Sequence, residues 1–490
     1  MSNIVLATIN AKWIHPSLAL RLLKANLGAL QTSCQILEFA LRQPLSEKIE
    51  PILAARPRLL GFSVAIWNHK ATLELLEILS SKWASLDLPA EKPLVVLGGS
   101  EVSLLPNDAE IFRYADYIIR GEGEERFRLL CSRVFAGEGG VVVDRSFVNG
   151  ECASAAVADV NTIASAYHLY TDEDLHKKHV YVESSRDCAF GCEYCQESTK
   201  QGQTRGVREF PMEPFLAEMG TLIDRGAQKF KFLDRSFNFN VKRAVQIMEF
   251  FLERIASRRI KDANEAPPFC VHFEMLPFRF PPELREVIRR FPPGSLRLEI
   301  GIQTFNPQTA ALIHRAGSSR TESELEVLEF LRRETNALLH VDLIAGLPGE
   351  ELASFAAGFN RLWRVLSGGT NGSANTTCEI QLGILKCLPG TPILHHVQTH
   401  GMRYSPEPPY EIIETAALPA AELAHIKNFA RFWETIVNNN PFPDLLPRLL
   451  PPEQPAFETF MHLANKLLAH FGKNWGIDRW ELRAFLESVN

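Results

Sequence analysis

Short apolar runs rich in β-branched residues alternate with stretches of helical spacing from the amino terminus onward. The runs at 4–8, 35–39, 59–65, 94–97 and 117–119 read as buried strands, and the segments 18–30, 47–55, 71–79, 109–114 and 124–134 as helices between them. Five such strands with intervening helices predict a parallel, doubly wound sheet of flavodoxin-like order, which takes ligands at the carboxyl ends of its strands. Residues 137–170 form a connector, in which 141–143, 146–148 and the Asn149-Gly150 pair predict a small hairpin.

The alternation resumes at Val180 with longer helices. Strands are predicted at 180–185, 229–233, 270–275, 297–302, 339–344 and 379–385, with crossover helices at 214–225, 244–257, 283–291, 321–334 and 351–366. This spacing predicts an open, partial (β/α)6 version of the parallel barrel, whose chemistry sits at the strand carboxyl ends. The Gly/Ser/Asn/Thr-rich run 367–377 reads as an exposed loop. Beyond Tyr404 the strand pattern stops, and proline punctuation separates helices at 421–438, 456–470 and 479–489; Trp433, Trp475 and Trp480 are read there as packing residues. The fold class is therefore α/β with an α-helical carboxyl-terminal domain. Its domains are 1–136, a connector 137–170, a barrel 171–403 and a tail 404–490.

Composition fits this picture. The 490 residues exceed one hydrophobic core, and 46% hydrophobic with 22% charged residues is an ordinary globular mixture. A formal charge of −6 gives no electrostatic footprint for nucleic acid or anionic lipid, and favours a small molecule or peptide as substrate. No run of about 18 apolar residues spans a bilayer, and residues 1–11 lack the pattern of a signal peptide. A cytoplasmic protein with no membrane partner is expected. Nine cysteines, an odd number, fit reduced thiols. Six of them (Cys34, Cys131, Cys152, Cys270, Cys378, Cys387) stand singly and read as small buried hydrophobes.

The other three stand together in Cys188-Ala-Phe-Gly-Cys192-Glu-Tyr-Cys195, directly after a predicted strand. Thiolates hold iron–sulfur clusters, and three of them leave the fourth iron of a cube open to a small molecule. A zinc site would need a fourth Cys or His at familiar spacing; no second Cys-x-x-Cys exists, and His176 and His179 precede the loop without that pattern.

This three-plus-two spacing, with Tyr194 before the last cysteine, resembles the signature of the radical S-adenosylmethionine superfamily. The resemblance continues along the barrel. Asp234, in Phe232-Leu-Asp-Arg-Ser-Phe-Asn238, falls where the family binds the methionine amino group, although other members carry a Gly-Gly-Glu motif there. Glu299 and Gln303, in Leu298-Glu-Ile-Gly-Ile-Gln-Thr-Phe305, match the strand whose polar residues line the cofactor. Arg315 is the candidate partner of the methionine carboxylate. Ala345 and Gly346, in Val341-Asp-Leu-Ile-Ala-Gly-Leu-Pro348, match the strand whose backbone meets the adenine.

The amino-terminal domain is similar to the cobalamin-binding domain that precedes this barrel in one large subgroup. Ser63, the segment Gly98-Gly99-Ser100-Glu101, and Gly121 and Gly123 of Arg120-Gly-Glu-Gly-Glu124 carry that likeness. Members that ligate cobalt through histidine carry Asp-x-His-x-x-Gly after the first strand, whereas this chain has Asn10-Ala-Lys-Trp13-Ile-His15-Pro. An unligated lower cobalt face, covered by Trp13, is the preferred expectation, with His15 in a loop or core role. The full order of segments, including Pro408-Pro-Tyr410, resembles a bacterial subfamily whose carboxyl-terminal domain has no assigned function.

The resemblance implies a four-iron four-sulfur cluster on Cys188, Cys192 and Cys195, S-adenosylmethionine on its open iron, cobalamin, and reduced flavodoxin or ferredoxin as electron donor. It implies formation of a 5′-deoxyadenosyl radical and methyl transfer to an unactivated carbon of an unidentified substrate. Cobalamin-assisted cyclisation or rearrangement without methyl transfer, and a non-catalytic iron–sulfur protein, are the alternatives. S-Adenosylhomocysteine formation separates the first two, and reductive cleavage of S-adenosylmethionine separates both from the third.

Overall fold

The computed structural model describes residues 3–85, 92–136, 157–200, 206–258, 267–315, 321–368 and 378–489. The chain divides into two compact units, Met1–Asp187 with Lys200–Leu233, and Cys188–Thr199 with Asp234–Asn490.

The described residues of the first unit build a five-stranded parallel sheet in the order β2-β1-β3-β4-β5, with β1 Ile4–Asn10, β2 Cys34–Ala40, β3 Leu59–Ser63, β4 Leu94–Gly98 and β5 Tyr117–Ile118. Every residue of β1 is buried, as a central strand covered on both faces must be. Helices α1 Leu18–Ala25 and α5 Glu124–Phe135 supply Leu20, Phe127 and Leu130 to one core. Helices α2 Leu45–Ala55 and α3 His69–Ala84 supply Ile52, Leu75, Leu76 and Leu79 to the other. The helix predicted at 109–114 is a 3-10 turn, Glu110–Tyr114, and a short helix α4, Ser100–Leu104, was not foreseen. A five-residue helix holds barely one turn, too little for a periodic signal. The same unit carries the parallel pair β6 Val180–Val182 and β9 Lys229–Phe232, and a ribbon of β7 Ser185–Arg186 with β8 Arg208–Glu209. The hairpin predicted at 141–150 lies outside the described residues.

In the second unit β10 Cys270–Met275, β11 Leu296–Gln303, β12 Leu338–Ala345 and β13 Cys378–Ile384 pair in parallel and in sequence. Their burial alternates strictly. Leu296, Leu298, Ile300 and Ile302 are buried, while Arg297, Glu299 and Gln303 on the other face are half-buried. On β12, His340 and Asp342 alternate with buried Leu339, Val341 and Leu343 in the same way. A parallel sheet covered on both faces by helices reads as continuous apolar runs. A charged alternate face is what a barrel interior that takes a polar ligand requires.

The tail packs helices Ala420–Trp433 and Ala456–Phe471 on the helix Leu352–Ser367. Phe359 meets the rings of Phe429, Trp433 and Phe457 at 5.2, 4.8 and 5.6 Å. Two expectations are corrected here. Beyond residue 404 a strand does occur: β15 Ile412–Glu414 pairs antiparallel with β14 Arg403–Tyr404, a ribbon too short for its alternation to register. Trp433 is buried, but Trp475 and Trp480 are 69% and 75% exposed, so these two are not packing residues. Trp480 falls off the face of its helix Arg479–Ser488 that buries Leu482 and Leu486. Of the single cysteines, Cys34 and Cys131 are buried, and burial pushes both thiols up to about 12. Cys270, Cys378 and Cys387 are only half-buried, and Cys152 lies outside the described residues.

Candidate functional site

The cysteine loop follows Asp187, whose backbone sits at φ 69° and turns the chain out of the β7 ribbon. The loop closes on itself: Cys195 N–H donates to the Cys192 carbonyl at 3.0 Å, and Ser198 Oγ donates to the Cys195 carbonyl at 2.6 Å. All three thiols are free and half-buried. The Cys188 sulfur is hydrogen-bonded by the Phe190 N–H and the Ser236 hydroxyl, and the Cys195 sulfur by the Glu197 N–H. The Tyr194 hydroxyl bonds the Cys192 sulfur, and burial raises the Tyr194 phenol well above its ordinary value. Burial likewise raises the Cys188 thiol, and takes Cys195 up to about 11 against the opposing pull of its hydrogen bond and of Arg235.

These features fit an iron–sulfur cube. Hydrogen bonds to the sulfurs and a nearby guanidinium stabilise thiolate ligands and tune cluster potential. Among the described residues no three His, Cys, Asp or Glu side chains group tightly enough to share a single metal ion.

Sequence reasoning missed the loop's strongest anchor, Glu193. Its N–H donates to the Ile313 carbonyl and its carbonyl accepts from Ile393 N–H. Its buried carboxylate takes His314 Nδ1 at 3.0 Å on one oxygen and His396 Nε2 at 2.6 Å on the other. The glutamate was legible inside the motif; its partners were not.

Asp234, just beyond β9, is buried, and Arg235 beside it faces Glu274 at 3.6 Å. Glu299 pairs with His272 at 3.1 Å on the polar face of β10–β13. Gln303 has φ 70° at a break in the β11–β12 register, and its side chain folds over Gly301, where an added Cβ would lie 2.3 Å from Gln303 Nε2. Arg315, expected to offer a fork to a carboxylate, donates Nε to the Ile302 carbonyl at 2.7 Å and another nitrogen to the Gly301 carbonyl, with Glu324 at 3.5 Å. It braces the end of β11. Ala345 ends β12, and Gly346 has φ 89°, with Ile412 of β15 only 2.6 Å from where a Cβ would stand.

In the first unit, the carboxyl ends of β1 and β3 flank the switch point of the sheet order, where doubly wound folds take their ligands. Trp13 and Trp67, in the loops after these strands, are 48% and 55% exposed. Trp67 was not foreseen. Its loop is held rigid by buried Asn68, whose Nδ2 donates to the Ile9 carbonyl at 2.9 Å and whose Oδ1 accepts from Ala65 N–H at 2.8 Å. Trp13 carries Lys178 over its ring at 4.8 Å. Ser63, at the end of β3, accepts Thr8 Oγ1 at its carbonyl. Gly99 has φ 107° and lies so near β3 that a Cβ would stand 2.4 Å from the Val64 carbonyl oxygen, whereas a Cβ at Gly98 would make ordinary contact. Exposed indoles beside an edge of backbone and small residues fit a broad, flat macrocycle.

Other expected residues have protein partners. His15 Nδ1 bonds Tyr181 OH at 2.8 Å, and its ring stacks on His179 at 5.3 Å; burial, then Lys231 and Lys12, lower its pKa. Ser100 opens α4, and buried Glu101 meets His69 at 3.0 Å. Gly121 has φ 75° and its N–H donates to Ser103 Oγ, while Gly123 precedes α5. Glu122, between these glycines, and Glu124, after them, serve a largely buried network: Arg186 reaches Glu124 and Glu183 at 2.7 Å each and Glu122 at 3.4 Å, and Arg208 pairs with Glu122 and with Asp187.

Comparison with known proteins agrees with this architecture. The B12 binding domain family matches residues 4–130, the radical SAM superfamily residues 182–360, and a family of unknown function, DUF4080, residues 398–478. An uncharacterised methyltransferase of Pyrococcus horikoshii is 27% identical over 169 residues, 32% of this chain; the match spans only 36% of that relative's length. Among solved structures, the cobalamin-dependent S-adenosylmethionine radical enzyme OxsB matches with a TM-score of 0.64 at 14% identity, over 97% of this chain and 76% of its own. The radical S-adenosylmethionine methyltransferase TsrM from Kitasatospora setae, with cobalamin and a [4Fe-4S] cluster bound, matches with a TM-score of 0.59 at 16% identity, over 95% of this chain and all of its own. At such identities the structures speak for the fold. The matched families imply a [4Fe-4S] cluster, S-adenosylmethionine and cobalamin as cofactors. The chain thus carries a radical SAM domain with a B12-binding domain ahead of it, the domain order of the cobalamin-binding subgroup of the radical S-adenosylmethionine superfamily.

Proposed function

We propose that this protein is a cobalamin-dependent radical S-adenosylmethionine methyltransferase acting on an unactivated carbon of a small-molecule or peptide substrate. The observation that carries the reading is the cysteine loop: three free thiols within eight positions, each hydrogen-bonded at sulfur, anchored through Glu193. When bound, the cofactors supply the hard chemistry, with reductive cleavage of S-adenosylmethionine giving a 5′-deoxyadenosyl radical and cobalamin carrying the methyl group.

The chain's own residues bind and orient. Cys188, Cys192 and Cys195 would hold the cluster, and Tyr194 steadies the loop through its hydrogen bond to the Cys192 sulfur. Asp234, Glu299 and Gln303 offer oxygen acceptors and an amide to the amino acid portion of S-adenosylmethionine, while Ala345 and Gly346 present backbone to the adenine. Trp13 and Trp67, with Ser63, Gly98 and Gly99 at the strand ends, would hold the cobalamin. His15, neutral and bonded to Tyr181, holds the first loop in place rather than ligating cobalt. Support for methyl transfer comes from the cobalamin-binding and radical domains lying in one chain together with the likeness to an uncharacterised methyltransferase.

The test is anaerobic reconstitution with iron, sulfide and hydroxocobalamin, followed by S-adenosylmethionine and dithionite. Iron content, the cobalamin spectrum, 5′-deoxyadenosine and S-adenosylhomocysteine are read from one sample. Both nucleosides are expected from the wild-type protein with substrate, and neither from C188A/C192A/C195A. Release of 5′-deoxyadenosine by the triple variant would overturn the reading. Release of 5′-deoxyadenosine without S-adenosylhomocysteine, once substrate is supplied, would overturn the methyl-transfer part.

A further inference from the structure

Phe190 stands inside the cysteine loop, between Cys188 and Cys192. Its ring meets Phe239 and Phe278 edge-on, with centroids at 6.0 and 5.8 Å. Phe278 in turn lines a cleft of about 670 Å³. The charged side chains of that cleft are Lys242, Arg279 and Arg285 against Glu283 and Glu326, an excess of one positive charge. Arg285 is occupied, with Nε donating to the Phe280 carbonyl at 2.8 Å and the guanidinium 4.8 Å above the Phe330 ring. Lys242 and Arg279 are exposed, and among the described residues neither has a carboxylate partner. Arg279 lies 5.5 Å from the centre of Phe239, the same ring that Phe190 touches. Two unpaired cations thus stand at the outer end of an aromatic bridge whose inner end belongs to the cysteine loop.

We propose that this cleft is the docking face for the protein that delivers the electron, a small acidic carrier of the flavodoxin kind. The proposal rests on the reading of Cys188, Cys192 and Cys195 as cluster ligands. Electron transfer needs close approach to the cluster, and Phe190 and Phe278 bring the loop to the surface through one ring-to-ring contact. Acidic partners are steered by rim cations that are not already paired, and such charges act chiefly on the association rate. A small anion is a poorer fit, because the cleft offers it no buried charged donor and two carboxylates of its own. In the step itself the reduced flavin hydroquinone anion gives up one electron and becomes the neutral radical. A cluster on Cys188, Cys192 and Cys195 would take up that electron, going from the 2+ to the 1+ state, with no proton moved.

The experiment compares two reductants on the full-length, reconstituted protein. Rates of 5′-deoxyadenosine formation are measured with reduced flavodoxin and with dithionite, at low and high salt, for the wild type, K242E/R279E, and a control reversal on the tail, K466E. The flavodoxin-driven rate of K242E/R279E is expected to fall about tenfold at low salt and to lose its salt dependence. Its dithionite-driven rate and iron content are expected to match the wild type, and K466E to behave as wild type with both donors. An unchanged flavodoxin rate in K242E/R279E would overturn the proposal, as would an equal loss with dithionite. Inhibition of the flavodoxin rate by inorganic phosphate at constant ionic strength would mark a small-anion site and overturn it too. A wild-type protein that dithionite cannot drive would instead sink the cluster reading itself, so the two failures are told apart.

Discussion

Glu193 Oε2 accepts a 2.6 Å hydrogen bond from His396 Nε2, tying the cysteine loop to a segment 203 residues downstream. The other carboxylate oxygen holds His314, so one side chain fixes the loop to two distant parts of the second unit. Substituting alanine strands two imidazoles without their acceptor. Glu193→Ala is expected to destabilise the protein by about 1–3 kcal/mol and to lower iron retention, with Glu193→Gln nearer wild type because it keeps one acceptor oxygen. Thermal unfolding and iron per chain check this; an unchanged iron content in Glu193→Ala would count against the anchoring role.

Glu350 gives a pH signature. Burial raises its carboxyl to about 7 from 4.5, against the opposing hydrogen bond from Thr304 Oγ1 at 2.7 Å. Its folded-state value lies above its unfolded value, so the folded state holds the proton more tightly. The associated stability is complete below about 4.5 and is lost as pH rises through about 7. Glu350→Gln keeps an acceptor for Thr304 and removes the titration. The variant is expected to gain on the wild type between pH 5 and 8, by something of the order of 3 kcal/mol at the upper end. Denaturant titrations at several pH values measure the difference, and parallel stability curves would refute the assignment.

Two adjacent glycines are expected to respond very differently. At Gly99 an alanine Cβ would stand 2.4 Å from the backbone oxygen of Val64 on a residue with φ 107°, whereas at Gly98 it would stand 3.5 Å from its nearest neighbour, the Ile119 oxygen. Backbone cannot swing aside as a flexible side chain does, so Gly99→Ala should cost about 2 kcal/mol or more and impair cobalamin uptake. Gly98→Ala should stay within about 1 kcal/mol of wild type. Unfolding midpoints and the absorbance of bound hydroxocobalamin report both effects.

Arg186 neutralises three carboxylates, Glu122, Glu124 and Glu183, within the first unit. Removing the cation leaves three carboxylates close together, with Arg208 still paired to Glu122. Arg186→Ala is expected to lose about 3–5 kcal/mol, more than Arg186→Lys, which keeps the charge but not the planar fork. Chemical denaturation of both variants provides the comparison.

Much of this architecture was legible because parallel α/β segments announce themselves. The run of Ile4 to Ile9 is apolar but for Thr8, as a strand buried along its length requires, and the period-two pattern of 296–303 separates the helix-covered face from the polar interior on sequence alone. The cysteine loop was legible because its ligands are neighbours in sequence. What stayed hidden depends on the third dimension. Nothing in the sequence says that His314 and His396 converge on Glu193, that Asn68 pins the loop carrying Trp67, or that Arg315 spends its donors on the Gly301 and Ile302 carbonyls. The short ribbon of Arg403–Tyr404 with Ile412–Glu414 was hidden too, since two or three residues cannot display a period.

The ribbon has an architectural consequence. Ile412 occupies the space that a side chain at position 346 would need, and the tail's Phe429, Trp433 and Phe457 interlock with Phe359 of a barrel helix. The carboxyl-terminal region is thus a keystone of the second unit and not an accessory module. Exchanging it between homologues would demand matched changes along two sides of a shared seam, and a chain cut after Tyr404 would leave a hydrophobic wound where the barrel's last helix now lies covered.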